Sequence, residues 1–91
     1  MDTADLRIFE AVARLKGMDS AAAELQTPLT TVKARLRHLE TNLGMALFAR
    51  HGEGLALTSD GRRFLPYASR LRQIVDEAQR AAEEKGPSEA L

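Results

Sequence analysis

Residues 20–43 read SAAAELQTPLTTVKARLRHLETNL, and this stretch decides the fold. Two apolar-patterned segments, 20–25 and 29 to about 42, flank a tight joint, Gln26-Thr27-Pro28. The Thr27 hydroxyl can cap a helix, which puts Pro28 at the first helical position, where a missing N–H costs nothing. In the second segment Val32, Leu36, Leu39 and Leu43 recur at the spacing of one helix face. At about 100° per residue the opposite face carries Thr30, Ala34, Arg37 and Thr41, flanked by Lys33 and His38. Small, hydroxyl and basic side chains suit a groove lined with acceptors and phosphates. The competing reading is an ordinary amphipathic helix with a solvated face. The flanking sequence favours the first.

Composition narrows the classes. A chain of 91 residues is one small domain, alone or with an appendage, and so small a core is naturally supplemented by oligomerisation. The absence of cysteine excludes a disulfide framework and a thiolate metal site. No apolar run approaches the ~20 residues that span a bilayer, and the N-terminus lacks a basic region followed by an apolar one. A soluble cytoplasmic protein is expected. Thirteen basic residues balance thirteen acidic ones, so only their distribution can argue for a nucleic-acid partner. Lys33, Arg35, Arg37 and Arg50 stand against Glu40 alone between residues 27 and 50, while the chain from Asp76 onward is acidic.

Outward from the central stretch, residues 3–16 predict a first helix. Leu6, Phe9, Val12 and Ala13 form its inward stripe, broadened by Ile8 and Leu15. Asp5 complements the dipole in the first turn, and Gly17 is a helix stop. Asp19 or Ser20 caps the second helix, and Gly44 ends the third. Met45 to Arg50 and Leu55 to Thr58, around His51-Gly52-Glu53-Gly54, read as a β-hairpin. Three helices and a small hairpin make a winged helix-turn-helix, so the fold class is mainly α. Thr58 can cap a fourth helix reaching about Lys85, roughly 40 Å long, which Pro66 should kink. In it Phe64, Ala68, Leu71, Val75, Ala78 and Ala82 recur at alternating steps of four and three, a heptad seam suited to a partner helix. Gly86-Pro87-Ser88 ends that helix. The implied division is a winged helix-turn-helix over 1–58, a linker and dimerisation helix over 59–85, and the start of a linker over 86–91.

The chain from about residue 3 to 85 resembles the N-terminal DNA-binding region of LysR-type transcriptional regulators. The resemblance rests on the order and spacing of several pieces. These are Phe9-Glu10-Ala11-Val12-Ala13, Ala21-Ala22 with Leu25, Val32-Lys33-Ala34-Arg35-Leu36-Arg37 with Leu39-Glu40, Leu43-Gly44, Leu47-Phe48 with Arg50, and Leu57-Thr58 with Gly61. It implies a homodimer built on the fourth helix, an inverted-repeat operator in double-stranded DNA, and a tetramer as an open possibility for the full-length protein. A small-molecule effector is expected only on a C-terminal domain that this chain, stopping at Leu91, lacks. The chain departs from the family at Leu29, where glutamine is common, and at the wing tip, where Glu53 replaces the usual arginine. Leu29 can touch a thymine methyl but cannot hydrogen-bond adenine. Glu53 is repelled by a narrow, strongly negative minor groove.

The candidate base contacts are therefore Leu29, Thr30, Thr31, Lys33 and Ala34. The candidate phosphate contacts are Ser20, Thr27, Arg37 and Arg50; capping alone would also explain Ser20 and Thr27. Gly52, Glu53 and Gly54 form the wing tip. Arg35 lies nearer the apolar face, where Glu24 or Glu40 could pair with it. His38 and His51 lack the further ligands a metal site needs, so no metal and no cofactor are expected. No nucleophile–base pair or paired carboxylates support catalysis, and the chain reads as not an enzyme. The alternative function is a winged-helix interaction or dimerisation module without specific DNA binding, consistent with Glu53, Leu29 and zero net charge.

Overall fold

The computed structural model of the chain describes residues 1–84. Its elements are α1 (Thr3–Leu15), α2 (Met18–Leu25), α3 (Leu29–Leu43), β1 (Phe48–His51), β2 (Gly54–Leu57) and α4 (Ser59–Glu84). This is the expected winged helix-turn-helix with a long fourth helix. The proposed helix end at Lys85 and the 86–91 linker lie outside the described residues.

Phe9 sits at the centre of the core, fully buried on α1. Its ring lies 5.5 Å from Phe48 at the start of β1 and 5.2 Å from Phe64 on α4, both tilted. One side chain thus joins the first helix, the wing and the fourth helix, at offset geometries that aromatic pairs favour. Leu6, Ile8, Ala11 and Val12 complete the α1 face, and Val32, Leu36 and Leu39 of α3 pack with them. Ala13, expected inside, is only half-buried, and Ala11 takes the inward place. Ala21 and Ala22 are buried between α1 and α3, where their small side chains let α2 approach closely.

Three turns differ from the sequence reading. α1 ends on Lys16, not Gly17: Lys16 is left-handed (φ 60) and donates its N–H to Val12 O. Gly17 is instead the N-cap of α2, and neither Asp19 nor Ser20 caps that helix. In the helix-turn-helix joint Gln26 is left-handed (φ 52), and the Thr27 N–H reaches back to Ala22 O at 3.0 Å. That closes a Schellman turn, and it turns the Thr27 hydroxyl onto Leu25 O, so Thr27 does not cap α3. Pro28 is the N-cap residue itself. Gly44 (φ 68) closes α3 with the same Schellman bonds, as expected.

The hairpin is shorter than the apolar run suggested. Pairing runs only from Phe48↔Leu57 to His51↔Gly54. Leu47 lies outside the strand because its backbone is engaged elsewhere. Its N–H donates to the Glu40 carboxylate (2.7 Å), and its carbonyl accepts from the Thr58 N–H (2.9 Å). Thr58 caps α4 as expected, its hydroxyl accepting from Gly61 N–H at 2.9 Å and donating to Ala46 O at 2.7 Å.

α4 is continuous through Pro66. Its first half belongs to the winged domain: Gly61, Phe64 and Ala68 are buried in the core, so the division at residue 58 cuts through one packed unit. Polar bonds extend that attachment. Glu10 of α1 accepts from the Ser69 hydroxyl and from Arg72, and Asp76 accepts from Arg72 and Arg7.

This placement corrects the proposed seam. Phe64 and Ala68 face the chain's own core and are not available to a partner. Leu71 (42% exposed) is, and so are Tyr67 (60%) and Ile74 (59%), which the heptad reading left out. With the exposed Ala78 they form a stripe at steps of four, three and four, rotated away from the face that packs on α1.

Candidate nucleic-acid interface

α3 divides its residues cleanly. Val32, Leu36 and Leu39 are buried, while Thr30, Lys33, Ala34, Arg37 and His38 are exposed. Leu29 and Thr31 are half-buried at its start. On one side of this ridge a groove of about 440 Å³ lies between the start of α2, the start of α3 and the wing. It brings together Ser20, Leu29, Lys33, Arg50, Glu53 and Gly54. On the other side Thr30, Thr31 and Ala34 line a shallower depression of about 390 Å³ with Arg35 and His38. Arg37 is exposed on the ridge and lines neither hollow; Thr27 is half-buried in the joint and also lines neither.

The wing is held in place at its tip. Leu55 N–H donates to Lys16 O at 3.0 Å, which ties β2 to the α1–α2 turn. A Cβ on Gly54 would stand 2.5 Å from the same carbonyl, so only glycine permits this approach. Gly52 supplies the positive φ (61°) that the first residue of a tight two-residue hairpin loop requires. Glu53 follows it at the exposed end of the loop.

Several cations of this face are free of carboxylate partners. Arg7, Arg14, Arg35, Arg63 and Arg72 all have carboxylate partners. Lys16, Lys33, Arg37 and Arg50, on or beside α3 and the wing, have none among the described residues, nor do Arg62, Arg70 and Arg80 along α4. Helix capping differs among the elements. Side chains cap α1 and α4, whereas the N-termini of α2 and α3 have no side-chain cap. First-turn N–H groups without a partner are donors to an outside anion.

Arg35 pairs with neither Glu24 nor Glu40, because Glu24 already holds Arg14 and Glu40 holds the Leu47 N–H. It reaches Asp2 at 2.9 Å and the buried Asp5 at 3.4 Å. Those two acids form a capping box at the start of α1, Asp5 N–H donating to Asp2 and Asp2 N–H to Asp5. The Asp5 N–H, with Arg35 in support, holds the Asp2 carboxyl below its usual range. This tether between α1 and α3 escaped the sequence reading, although Asp2-x-x-Asp5 carries the acid spacing of a capping box. Lys16 was read only as the end of a helix; its left-handed backbone places it at the groove.

Among the described residues no group of histidine or acidic side chains could hold a metal ion, and no helix is long and apolar enough to cross a membrane.

Residues 3–62 match the bacterial regulatory helix-turn-helix protein, lysR family. The chain is 40% identical to the uncharacterized HTH-type transcriptional regulator YusT of Bacillus subtilis (strain 168), over 96% of this chain and 31% of that protein. Its fold matches the crystal structure of the CbnR_DBD-DNA complex with a TM-score of 0.85 and 28% identity, covering 96% of this chain and 100% of that one. It also matches the BenM_DBD/benA site 1 DNA complex with a TM-score of 0.83 and 27% identity, covering 94% and 100%. The chain spans less than a third of the length of the curated relatives it resembles. With the family match extending over most of its length, this chain belongs to the lysR family of bacterial regulatory helix-turn-helix proteins.

Proposed function

We propose that the chain is the sequence-reading part of a bacterial transcriptional regulator and binds double-stranded DNA as a homodimer. One observation carries this reading. The uncapped N-termini of α2 and α3 and four basic side chains without acidic partners, Lys16, Lys33, Arg37 and Arg50, lie on the face that also presents Thr30 and Ala34. In this arrangement α3 lies in the major groove. Thr30 offers a hydroxyl and a methyl, Lys33 donates to guanine O6 and N7, and Ala34 leaves room for close approach. Leu29 and Thr31 border the same bases. Ser20, Arg37 and Arg50 hold phosphates and fix the register without reading sequence. Thr27 drops out as a phosphate contact, since its hydroxyl is bonded to Leu25 O.

The exposed stripe of Tyr67, Leu71, Ile74 and Ala78 on α4 supports the dimer, because an apolar seam at heptad spacing is buried by a second helix. Two α3 helices related by a two-fold axis read half-sites about one helical turn or a multiple apart. A regulator of the chromosome works in the bacterial cytoplasm, and the effector of the whole regulator would bind beyond this region.

Selection of bound duplexes from a random pool tests the reading. The expected product is an inverted repeat bound with an affinity that falls steeply with salt, as counterions leave several phosphates. Binding that yields no common sequence, or that ignores salt, overturns it.

A further inference from the structure

The wing tip carries the one acidic side chain of the hairpin, and its position is fixed by the fold. Gly54 and Leu55 are clamped to Lys16 O, and Gly52 sets the loop, so Glu53 sits at the rim of the groove that also holds Lys33 and Arg50. Three cations, Lys16, Lys33 and Arg50, and a second acid, Asp19, border that groove, yet Glu53 forms no ion pair with any of the three among the described residues. Its carboxylate is exposed and free to accept hydrogen bonds from an outside donor.

Resting on the DNA-binding reading, we propose that Glu53 makes the wing select G·C over A·T pairs in the minor groove beside the α3 contact. The chemistry of the groove floor supports this. A·T and T·A pairs present only acceptors there, and G·C adds one donor, the N2 amine of guanine. A carboxylate is acceptor-only, so G·C offers it a charge-assisted bond and A·T offers repulsion. Groove shape acts in the same direction. A-tracts narrow the minor groove and deepen its negative potential, which attracts arginine and repels an acid. Arg50, on the adjoining strand, neutralises a phosphate on the flank, so the carboxylate need not enter an uncompensated field. The residue that weighed against wing insertion thus becomes a determinant of which sequence lies beneath it.

The test uses the purified chain and duplexes carrying the half-sites recovered by selection. Each flanking base pair is set in turn to G·C, A·T or inosine·C. Inosine keeps the major-groove edge of guanine and removes only the N2 amine. The wild-type chain is expected to prefer G·C about tenfold at one or two flanking positions, with inosine·C behaving as A·T. Glu53→Ala should level the three duplexes, and Glu53→Arg should invert the order in favour of A·T. Equal affinity of the wild type for all three at every flanking position overturns the proposal and leaves the DNA-binding reading standing. Persistence of the preference in Glu53→Ala also overturns it, because the selectivity then belongs to another group. Failure to recover any bound sequence removes the DNA-binding reading itself, and this proposal with it.

Discussion

Gly61→Ala should unfold the domain more easily, although helix propensity alone predicts the opposite. Gly61 lies in the first turn of α4, and alanine in a helix is favoured over glycine by about 1 kcal/mol. Here a Cβ would stand 2.2 Å from Leu47 O, 2.9 Å from Leu57 Cδ2 and 3.1 Å from the Leu47 carbonyl carbon. The nearest atom is backbone, and it cannot swing aside. Leu47 O accepts the Thr58 N–H, and the Leu47 N–H is held by Glu40. Relief therefore requires α4 and the wing base to part by roughly 1 Å, losing packing around the buried Leu47. Overpacking of this kind costs about 1–3 kcal/mol, and loosening the Thr58–Leu47 bond adds about 1. Set against the propensity gain, the net loss is about 1–3 kcal/mol, or roughly 5–20 °C in Tm for a domain of this size. Urea unfolding at unchanged m measures it. Gly17→Ala is the control, because its Cβ would meet nothing nearer than Ser20 Oγ at 3.9 Å, and it should cost under about 1 kcal/mol. A Gly61→Ala chain as stable as the wild type, or more so, would refute the close approach of α4 to the wing base.

The other predictions bear on binding, assembly and acid stability. Lys33→Ala should lose about 1–3 kcal/mol on the selected duplex and less on a scrambled one, whereas Arg50→Ala should weaken both by the same factor; titration of both variants at one salt concentration decides, and an equal loss for Lys33→Ala would make it a phosphate contact. Leu71→Asp or Ile74→Asp should give monomers in sedimentation, since each puts an unpaired charge into the stripe on α4; a wild-type chain that is already monomeric at high micromolar concentration contradicts the seam. The Asp2 carboxyl is held below its ordinary 3.8, so its ionised form stabilises the fold above that pH, and the contribution is lost as pH falls through the lower folded value. Asp2→Asn, which can still cap, should therefore unfold at lower urea than the wild type at pH 7, with the gap closing below about pH 3.8; a gap constant with pH would place the effect elsewhere.

The elements were legible because each combined a periodic apolar face with a matching stop. Val32, Leu36 and Leu39 announced α3, and Gly44 and Thr58 marked its end and the start of α4. The turns were misread where a residue took a conformation outside its usual preference. Lys16 and Gln26 are left-handed without being glycine, so the helix ends fell one residue from where glycine and threonine pointed. The seam was misread for a different reason. Spacing identifies apolar positions on α4 but does not say which of two partners buries each. Phe64 and Ala68 go to α1 and the core, and Tyr67 and Ile74 remain outside. Only the packed structure makes that division. The partners of Arg35 were likewise hidden, because Asp2 and Asp5 lie more than 29 residues away in the chain and meet α3 only after folding.

Zero net charge looks unfavourable for a DNA-binding surface, and the arrangement of ion pairs removes the difficulty. Phosphates respond to local potential within about a Debye length, ~10 Å at moderate salt, not to the sum over the chain. Several acids here are engaged with arginines of the helical core. Glu10 and Asp76 bind Arg72 and Arg7 along the α1–α4 contact, Glu24 binds Arg14, and Asp2 and Asp5 bind Arg35. Each pair cancels an arginine that would otherwise contribute a diffuse positive field, and each ties two elements together. The cations left without partners include Lys33, Arg37 and Arg50, held by α3 and the wing. Neutrality of the whole thus coexists with cations free to meet phosphates on the α3 and wing face. Glu53, like Asp19 in the same groove, is an acid without an ion pair among the described residues, and it is placed by a rigid turn. A charge kept there lowers general affinity for DNA, so its effect on binding is selective, falling on the sequences that offer a carboxylate nothing to accept.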